Sequence, residues 1–274
     1  MAEGNRVIKE RTIWNPRSLQ LLREKATVRY ALAVVPRMVD GTRIGFPEAE
    51  VSLGLRVLVR SRRIEGQSLS AMIYDQETQG LALEMAMVAL KALSRANVTS
   101  EPFVLFGLAY GPIRNLKVTL NERLGTSILS PEQRVKLNRL VSSYIKTRRG
   151  ERRALVHGDL HAGNLVVNCE ERSLGFVDLE MMHIGKPVTN FAQLWISFHF
   201  ADPSLGQKFY QQYVTQFSEI LDRHFDSDVR AEVALRCHFM VKEAEKIGHA
   251  ELEEKSRVLL GNVLKGESFE KFVL

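Results

Sequence analysis

The sequence contains little cysteine and no long apolar run. Its two cysteines, Cys169 and Cys237, are too few for a disulfide framework and are typical of thiols in a reducing compartment. The first residues lack the apolar core of a signal peptide. The most apolar helical stretch, Leu81–Leu93, is short and carries Glu84 and Lys91, so it predicts a core helix. We therefore expect a cytoplasmic protein without a membrane span.

The chain also lacks internal repeats, low-complexity tracts and long linkers. With 45% hydrophobic and 26% charged residues in 274, it can form one large domain or two lobes. Residues 1–70 hold 13 Lys and Arg against 7 Asp and Glu, whereas residues 200–274 hold 10 against 13. A basic first part could attract a polyphosphate or nucleic acid, or could be a solvated surface. Charge alone does not choose between these readings, and we expect no nucleic-acid partner.

Apolar periodicity and turn residues predict a mixed first part followed by helices. In the first part we expect a strand at Arg6–Arg11, a helix from Asn15 to about Ala33, and strands at Arg37–Thr42 and Leu55–Arg62, with a loop at residues 45–54. Helices are then expected at Ser68–Tyr74, Leu81–Ala96 and Pro131–Thr147, a hairpin at Leu165–Asn168 and Leu174–Leu179, and helices at Asn190–Phe200, Ser204–Phe225, Asp228–Ile247 and Glu251–Leu264. This is an α+β pattern with a small mixed lobe and hinge over residues 1–66 and a larger helical lobe over 67–274.

A polar loop between apolar strands carries the strongest chemical signal. Leu155 and Val156 lead into the loop His157–Asn164, and a second apolar strand follows. A third apolar stretch ends in Asp178, 19 residues after Asp159. That separation is enough for one hairpin that returns the two aspartates to the same place.

These side chains are the groups that phosphoryl transfer requires. A carboxylate, here Asp159, orients the attacking hydroxyl and accepts its proton. A carboxamide and a second carboxylate, here Asn164 and Asp178, supply the hard oxygen ligands that Mg²⁺ prefers.

The pattern resembles the aminoglycoside phosphotransferase and choline kinase family, relatives of the protein kinases. His157, Asp159 and Asn164 match the family's His-x-Asp-x-x-x-x-Asn catalytic loop, and Val177–Asp178 matches its metal-binding aspartate. The resemblance implies a protein-kinase-like two-lobe fold, ATP and Mg²⁺ as cofactors, and a small-molecule hydroxyl as the acceptor.

The same resemblance implies further site residues. Lys9 looks like the strand lysine that pairs with the nucleotide phosphates, and Glu24 looks like the helix glutamate that orients it. The backbone at Arg62–Glu65, including Ile64 and Glu65, would bind adenine.

Three further side chains lie in or near the loop, and two of them have more than one expected role. His157 is expected to hold the catalytic loop by packing and hydrogen bonding. His161 would face the acceptor or stabilise the loop, and Glu180 would assist metal binding or be solvated.

Two features depart from the family pattern. Only eight residues precede Lys9, and they contain one glycine, Gly4, so the glycine-rich phosphate loop is expected to be missing or much shortened. Three alternatives are then open: a partner protein supplies the loop, the start of the chain is incomplete, or nucleotide binding is weak. Asn190 stands where many relatives have an aspartate that braces the catalytic loop.

Several alternatives remain open at this point. The acidic last part suits a cationic acceptor, such as an amino sugar or a choline-like amine, whereas the basic run at 146–153 suits a phosphorylated sugar or a lipopolysaccharide-type acceptor. A protein-type kinase and a catalytically weak scaffold are further possibilities. A transition-metal hydrolase site at His157, Asp159 and His161 is the least supported, because only Asp178 could complete its ligand set.

Overall fold

In the computed structural model, two compact units can be described. The structure describes residues 28, 30–47, 64–98, 129–146, 153–221 and 223–266, and the backbone alone of the strands at 6–12, 49–53 and 56–62. The first unit comprises Met1–Ala109 with Arg153–Pro187, and the second comprises Tyr110–Arg152 with Val188–Leu274. The loop His157–Asn164 and Asp178, the predicted metal ligand, therefore belong to the first unit. The functional boundary expected after residue 66 stays a prediction.

The strands lie in the first unit. They are β1 (Arg6–Thr12), β2 (Met38–Val39), β3 (Thr42–Gly45), β4 (Ala49–Leu53), β5 (Arg56–Arg62), β6 (Gln67–Ser68), β7 (Ala154–Val156), β8 (Leu165–Asn168), β9 (Ser173–Phe176) and β10 (His183–Gly185). The α-helices are α1 (Leu69–Tyr74), α2 (Gln79–Ser94), α3 (Pro131–Lys146), α4 (Pro187–Ala201), α5 (Pro203–Gln216), α6 (Phe225–Ile247) and α7 (Ala250–Lys265). Residues 30–34 form the end of an earlier helix.

The described strands of the first unit form three sheets. An antiparallel sheet has the order β1-β5-β4, and β10 pairs with β7. A five-stranded sheet has the order β2-β3-β9-β8-β6, antiparallel except where β3 runs parallel to β9. The catalytic hairpin, β8 and β9, is thus the centre of this sheet, with earlier parts of the chain on both of its edges.

The core of the first unit packs around α2. Ten of its 16 residues are buried, which is typical of a helix surrounded on most faces by other elements. The hairpin of β2 and β3 is held close to it, since Lys91 of α2 forms an ion pair with Asp40 at 2.6 Å. The hydrogen bond from Lys91 lowers the pKa of Asp40. Asp40 and Gly41 both have positive φ, the backbone that a two-residue hairpin turn requires.

The described part of the second unit is helical and packs around α4. Ten of the 15 residues of α4 are buried, and its Phe191 lies 4.2 Å from Tyr213 between ring centroids. Two hydroxyls in this core share one carboxylate: Thr189 donates to Glu232 at 2.8 Å, and the Tyr144 hydroxyl donates to the same carboxylate. The helices α3, α4 and α5 each begin at proline, whose fixed φ suits the first helical turn.

Three sequence-based boundaries were wrong. The strand expected at Arg37–Thr42 is split by the turn at Asp40 and Gly41 into β2 and β3. The loop expected at residues 45–54 contains β4, which forms a strand because it pairs with β5. The helix expected over Ser204–Phe225 ends at Gln216 and is followed by a 3₁₀ turn, Ser218–Ile220.

Among the described residues, no helix combines the length and apolar character needed to cross a membrane.

The N-terminal cap of α5 gives a stability test. Asp202 accepts a hydrogen bond from the Ser204 amide at 2.7 Å, so Asp202→Ala should lower the unfolding free energy by about 1 kcal/mol. The hydrogen bonds from Ser204 lower the pKa of Asp202; the stabilisation is therefore present above the unfolded-state pKa near 3.9 and is lost as the pH falls through the folded-state pKa. Urea denaturation at neutral pH measures the change. Asp202→Ser, which keeps an acceptor, is the control, and an equal loss in both variants would refute the capping role.

Candidate active site

A buried histidine connects the catalytic loop to the end of β9. His157 follows β7 directly and is 0% exposed. Its Nε2 lies 2.9 Å from the carbonyl oxygen of Val177, and because a carbonyl can only accept, Nε2 carries the proton. The ring also lies 6.3 Å from that of Phe176. This bond places the residue before Asp178 beside the start of the loop.

Burial keeps this imidazole neutral. Desolvation lowers the pKa of His157 to about 4, while the Val177 carbonyl and the charges of Asp159 and Asp178 raise it by smaller amounts. The neutral form, which donates to Val177, therefore prevails at physiological pH.

The loop turns sharply at Gly158. Its φ of +87° is one that L side chains rarely adopt, and an added Cβ would lie 2.2 Å from the carbonyl oxygen of Met181. The strand β10, which follows Met181, pairs with β7 through His183 and Val156. The loop is thus confined between its own strand and the segment after Asp178.

Backbone bonds then bring Asp159 and Asn164 together. The Asn164 side-chain nitrogen donates to the Asp159 carbonyl at 2.8 Å, and the Asn164 amide donates to the His161 carbonyl at 2.9 Å. On the other side, the Val177 amide donates to the Asn164 carbonyl at 3.0 Å. Since its nitrogen is engaged, the Asn164 side chain has its oxygen available as a ligand.

Asp178 occupies a strained backbone position. Its φ of 59° and ψ of 58° are left-handed, a conformation that costs about 1–3 kcal/mol for a non-glycine residue and is concentrated at functional sites. The side chain is exposed, and a 3₁₀ turn, Leu179–Met181, follows it. The carboxylate is thereby presented to solvent while the flanking residues Phe176 and Leu179 are buried.

The donor set fits Mg²⁺. One carboxamide oxygen from Asn164 and one carboxylate from Asp178 are hard oxygen ligands, and the two residues are joined through Val177. In the described ranges, no three His, Cys, Asp or Glu side chains form a group suited to a metal ion. The hydrolase alternative therefore gains no support from the described part of the chain.

The predicted hinge links two sheets. β5 ends at Arg62 and β6 begins at Gln67, so Ile64 and Glu65 lie between the three-stranded and five-stranded sheets. Ile64 packs on Gly175 of β9, where an added Cβ would lie 2.6 Å from the Ile64 side chain. Glu65 is exposed. The hinge thus approaches the catalytic hairpin, as a shared nucleotide site would require.

The remaining predicted residues are placed less fully. Lys9 lies on β1, opposite Val59 of β5, and its side chain is outside the described part. Glu24 lies outside the described residues, as does most of the basic run at 146–153. Glu180 is half-buried in the turn after Asp178, and Asn190 is buried in α4.

Sequence reasoning missed the residues that shape the site without reacting. Gly66 has a φ of +138°, and an added Cβ would lie 2.3 Å from the Val167 carbonyl oxygen. Phe46 stacks on Phe176 at 5.3 Å between ring centroids. Glycines beside motif residues could have signalled tight turns, whereas two phenylalanines so far apart in sequence carry no such signal.

The turn at Gly158 provides a test. Gly158→Ala should destabilise the protein by at least about 1–3 kcal/mol, because the strained φ is aggravated by the contact with Met181. Thermal unfolding measures the change. Gly80→Ala is the control, since an added Cβ there has open space within 4 Å; it should be neutral or stabilising. Equal tolerance of both changes would contradict the described loop.

The buried His157 predicts a pH effect. Its folded-state pKa of about 4 lies below the unfolded value near 6.5, so the unfolded chain binds more protons between these values. The unfolding free energy should therefore fall as the pH drops from about 6.5 to about 4. An NMR titration should show the His157 ring neutral down to near pH 4, and protonation near pH 6.5 would disprove its burial.

Comparisons with known proteins agree with this geometry. A family model described as the phosphotransferase enzyme family, APH, matches residues 13–227. The structure of APH(2")-IIIa in complex with GDP and kanamycin is similar with a TM-score of 0.66 and 18% identity, covering 97% of this chain and 88% of that one. No curated protein matches the sequence significantly.

A second phosphotransferase structure shows the same fold. A thermostable mutant of aminoglycoside phosphotransferase APH(4)-Ia, in a ternary complex with ADP and hygromycin B, has a TM-score of 0.63 and 11% identity, with 97% and 88% of the two chains covered. The expected protein-kinase-like fold, with a small mixed lobe and a larger helical one, is confirmed. Because the family model spans most of the sequence and includes the loop at 157–164 and Asp178, the chain belongs to the phosphotransferase enzyme family.

Proposed function

We propose that this protein is a Mg²⁺-dependent kinase that transfers the γ-phosphoryl group of ATP to a hydroxyl of a small molecule. The observation that carries the proposal is the convergence of Asp159, Asn164 and Asp178 through the bonds of Asn164 and the buried His157. Two carboxylates and one carboxamide are the set that phosphoryl transfer requires.

Asp159 would act on the acceptor. The acceptor oxygen forms a bond to the γ-phosphorus, the bond from that phosphorus to the bridging oxygen of ADP breaks, and ADP leaves with the electron pair. The hydroxyl proton passes to the Asp159 carboxylate, which is partly exposed, with 29% of its side-chain surface accessible. An aspartate is a weak base, so its main contribution is to orient the hydroxyl.

Asn164 and Asp178 would hold the metal ion. When bound, Mg²⁺ neutralises charge on the transferred phosphoryl group and the leaving phosphate. The left-handed backbone of Asp178 and the bond from Asn164 to the Asp159 carbonyl keep these ligands in place without a metal-dependent rearrangement.

Nucleotide binding would use the hinge and the first strands. The backbone at Ile64 and Glu65 would contact the base, and Lys9, oriented by Glu24, would contact the phosphates. Several solved neighbours are complexes with GDP, ADP or AMP-PNP, which supports a purine nucleotide as phosphoryl donor. Two free cysteines, one of them buried, agree with the cytoplasmic location that an ATP-dependent enzyme needs.

We propose that the acceptor is an amino sugar; a choline-like amine and an uncharged sugar are less favoured candidates. Two neighbours are complexes with kanamycin or hygromycin B, and the net acidic charge of residues 200–274 suits a cation.

Two substitutions test the roles. Asp159→Asn should reduce phosphoryl transfer by about 10²–10⁴-fold, because the proton acceptor is lost, while MgATP still raises the melting temperature. Asp178→Asn should reduce both transfer and the Mg²⁺-dependent melting shift, because a charged ligand is lost. Transfer from labelled ATP to a panel of amino sugars, choline-like amines and sugars gives the rate.

Glu170→Gln is the matched control, since Glu170 is an exposed carboxylate in the turn of the same hairpin. Normal transfer by Asp159→Asn and Asp178→Asn would show that the roles are wrong. A wild-type protein with no melting shift at millimolar MgATP and no transfer would favour the scaffold alternative.

A further inference from the structure

The imidazole of His161 is held in one orientation within the catalytic loop. Its Nδ1 accepts a hydrogen bond from the Gly163 amide at 3.1 Å, so this nitrogen carries no proton. In the neutral ring the proton must then be on Nε2. The backbone of His161 is fixed as well, because its amide donates to the Asp159 carbonyl at 3.0 Å.

The loop leaves space for this ring only because residue 163 is glycine. An added Cβ at Gly163 would lie 2.9 Å from Cε1 and 3.0 Å from Nδ1 of His161. A side chain at that position would push the imidazole away. Two features of the loop therefore orient the ring: the hydrogen bond from the Gly163 amide and the absence of a side chain at residue 163.

The protonated nitrogen faces the predicted catalytic base. Nε2 of His161 lies 3.8 Å from Oδ2 of Asp159, and 46% and 29% of the two side-chain surfaces are exposed. At this distance the N–H dipole attracts the carboxylate, although the pair is not a full hydrogen bond. Because a carboxylate is planar, fixing the position of Oδ2 near the imidazole also fixes the position of Oδ1.

We propose that His161 is a positioning residue for phosphoryl transfer, which directs Oδ2 of Asp159 to itself and Oδ1 to the acceptor hydroxyl. The inference rests on the proposed kinase function. Its physical basis is orientation: a hydroxyl is aligned for attack only if the carboxylate that receives its proton keeps one rotamer. His161 contributes this restraint and does not itself receive the proton.

The competing explanation is that His161 only caps the 3₁₀ turn Ala162–Asn164. Asparagine separates the two roles, because its short side chain can accept the amide of the residue two positions on but cannot place an N–H near Asp159. His161→Asn therefore keeps the cap and removes the restraint, whereas His161→Ala removes both.

His249→Asn is the matched control. His249 also caps a helix with its Nδ1, which accepts the Leu252 amide three positions on at 3.2 Å, and it belongs to the second unit. The control therefore makes the same substitution at another histidine whose Nδ1 caps a helix, away from the predicted catalytic base.

In steady-state assays with the acceptor that the panel described above identifies, His161→Asn should lower kcat by about 10- to 100-fold. KM for MgATP and acceptor should stay within about twofold, and the melting temperature should not change. His249→Asn should keep the wild-type kcat. A wild-type kcat in His161→Asn with a loss confined to His161→Ala would overturn the proposal, and so would a change confined to KM.

NMR of histidine labelled with ¹⁵N tests the geometry without turnover. At about pH 8, above the ordinary imidazole pKa near 6.5, the wild-type signal that is absent from His161→Asn should show the Nε2–H tautomer, and Asp159→Asn should shift it. An Nδ1–H tautomer, or a signal insensitive to Asp159→Asn, would overturn the proposal even in an active enzyme. If the NMR results are as expected but the wild type transfers no phosphate, the proposed function has failed, and the role of His161 in the reaction fails with it.

Discussion

The hydrogen bond from buried His157 to the Val177 carbonyl is the interaction on which the candidate site depends. It joins the residue two positions before Asp159 to the residue immediately before Asp178. The bond requires a neutral ring, and burial against Phe176 ensures neutrality by lowering the pKa to about 4. A hydrophobic environment thus sets the protonation state of the histidine whose bond holds together the segments carrying Asp159 and Asp178.

Around this bond the backbone adopts conformations that ordinary loops avoid. Gly158 and Gly66 have positive φ and touch the carbonyl groups of Met181 and Val167 closely, while Asp178 is left-handed without being glycine. Such strain persists because the surrounding sheet and turn bonds over-determine it. The polar side chains are consequently preorganised, which lowers the entropic cost of aligning donor and acceptor.

The five-stranded sheet explains how distant segments reach the site. β3 pairs with β9 and β6 pairs with β8, so the hairpin of β8 and β9 is held from both edges by segments that precede it by about 100 to 130 residues. The stack of Phe46 on Phe176 reinforces one edge. The predicted nucleotide hinge is thereby attached to the same hairpin as the predicted metal ligands.

By itself, the sequence indicated the family: the spacing of His157, Asp159, Asn164 and Asp178 resembles that of a phosphotransferase loop, the family model confirms the family, and apolar periodicity located most helices. Such information is local, because a motif and a helical repeat lie within a few turns of chain. Only the tertiary structure decided that β4 is a strand, that Phe46 supports the site, and that His161 faces Asp159. Those features arise from strand pairing, side-chain packing and the backbone conformation of the loop. They depend on how the chain folds, and no sequence period encodes them.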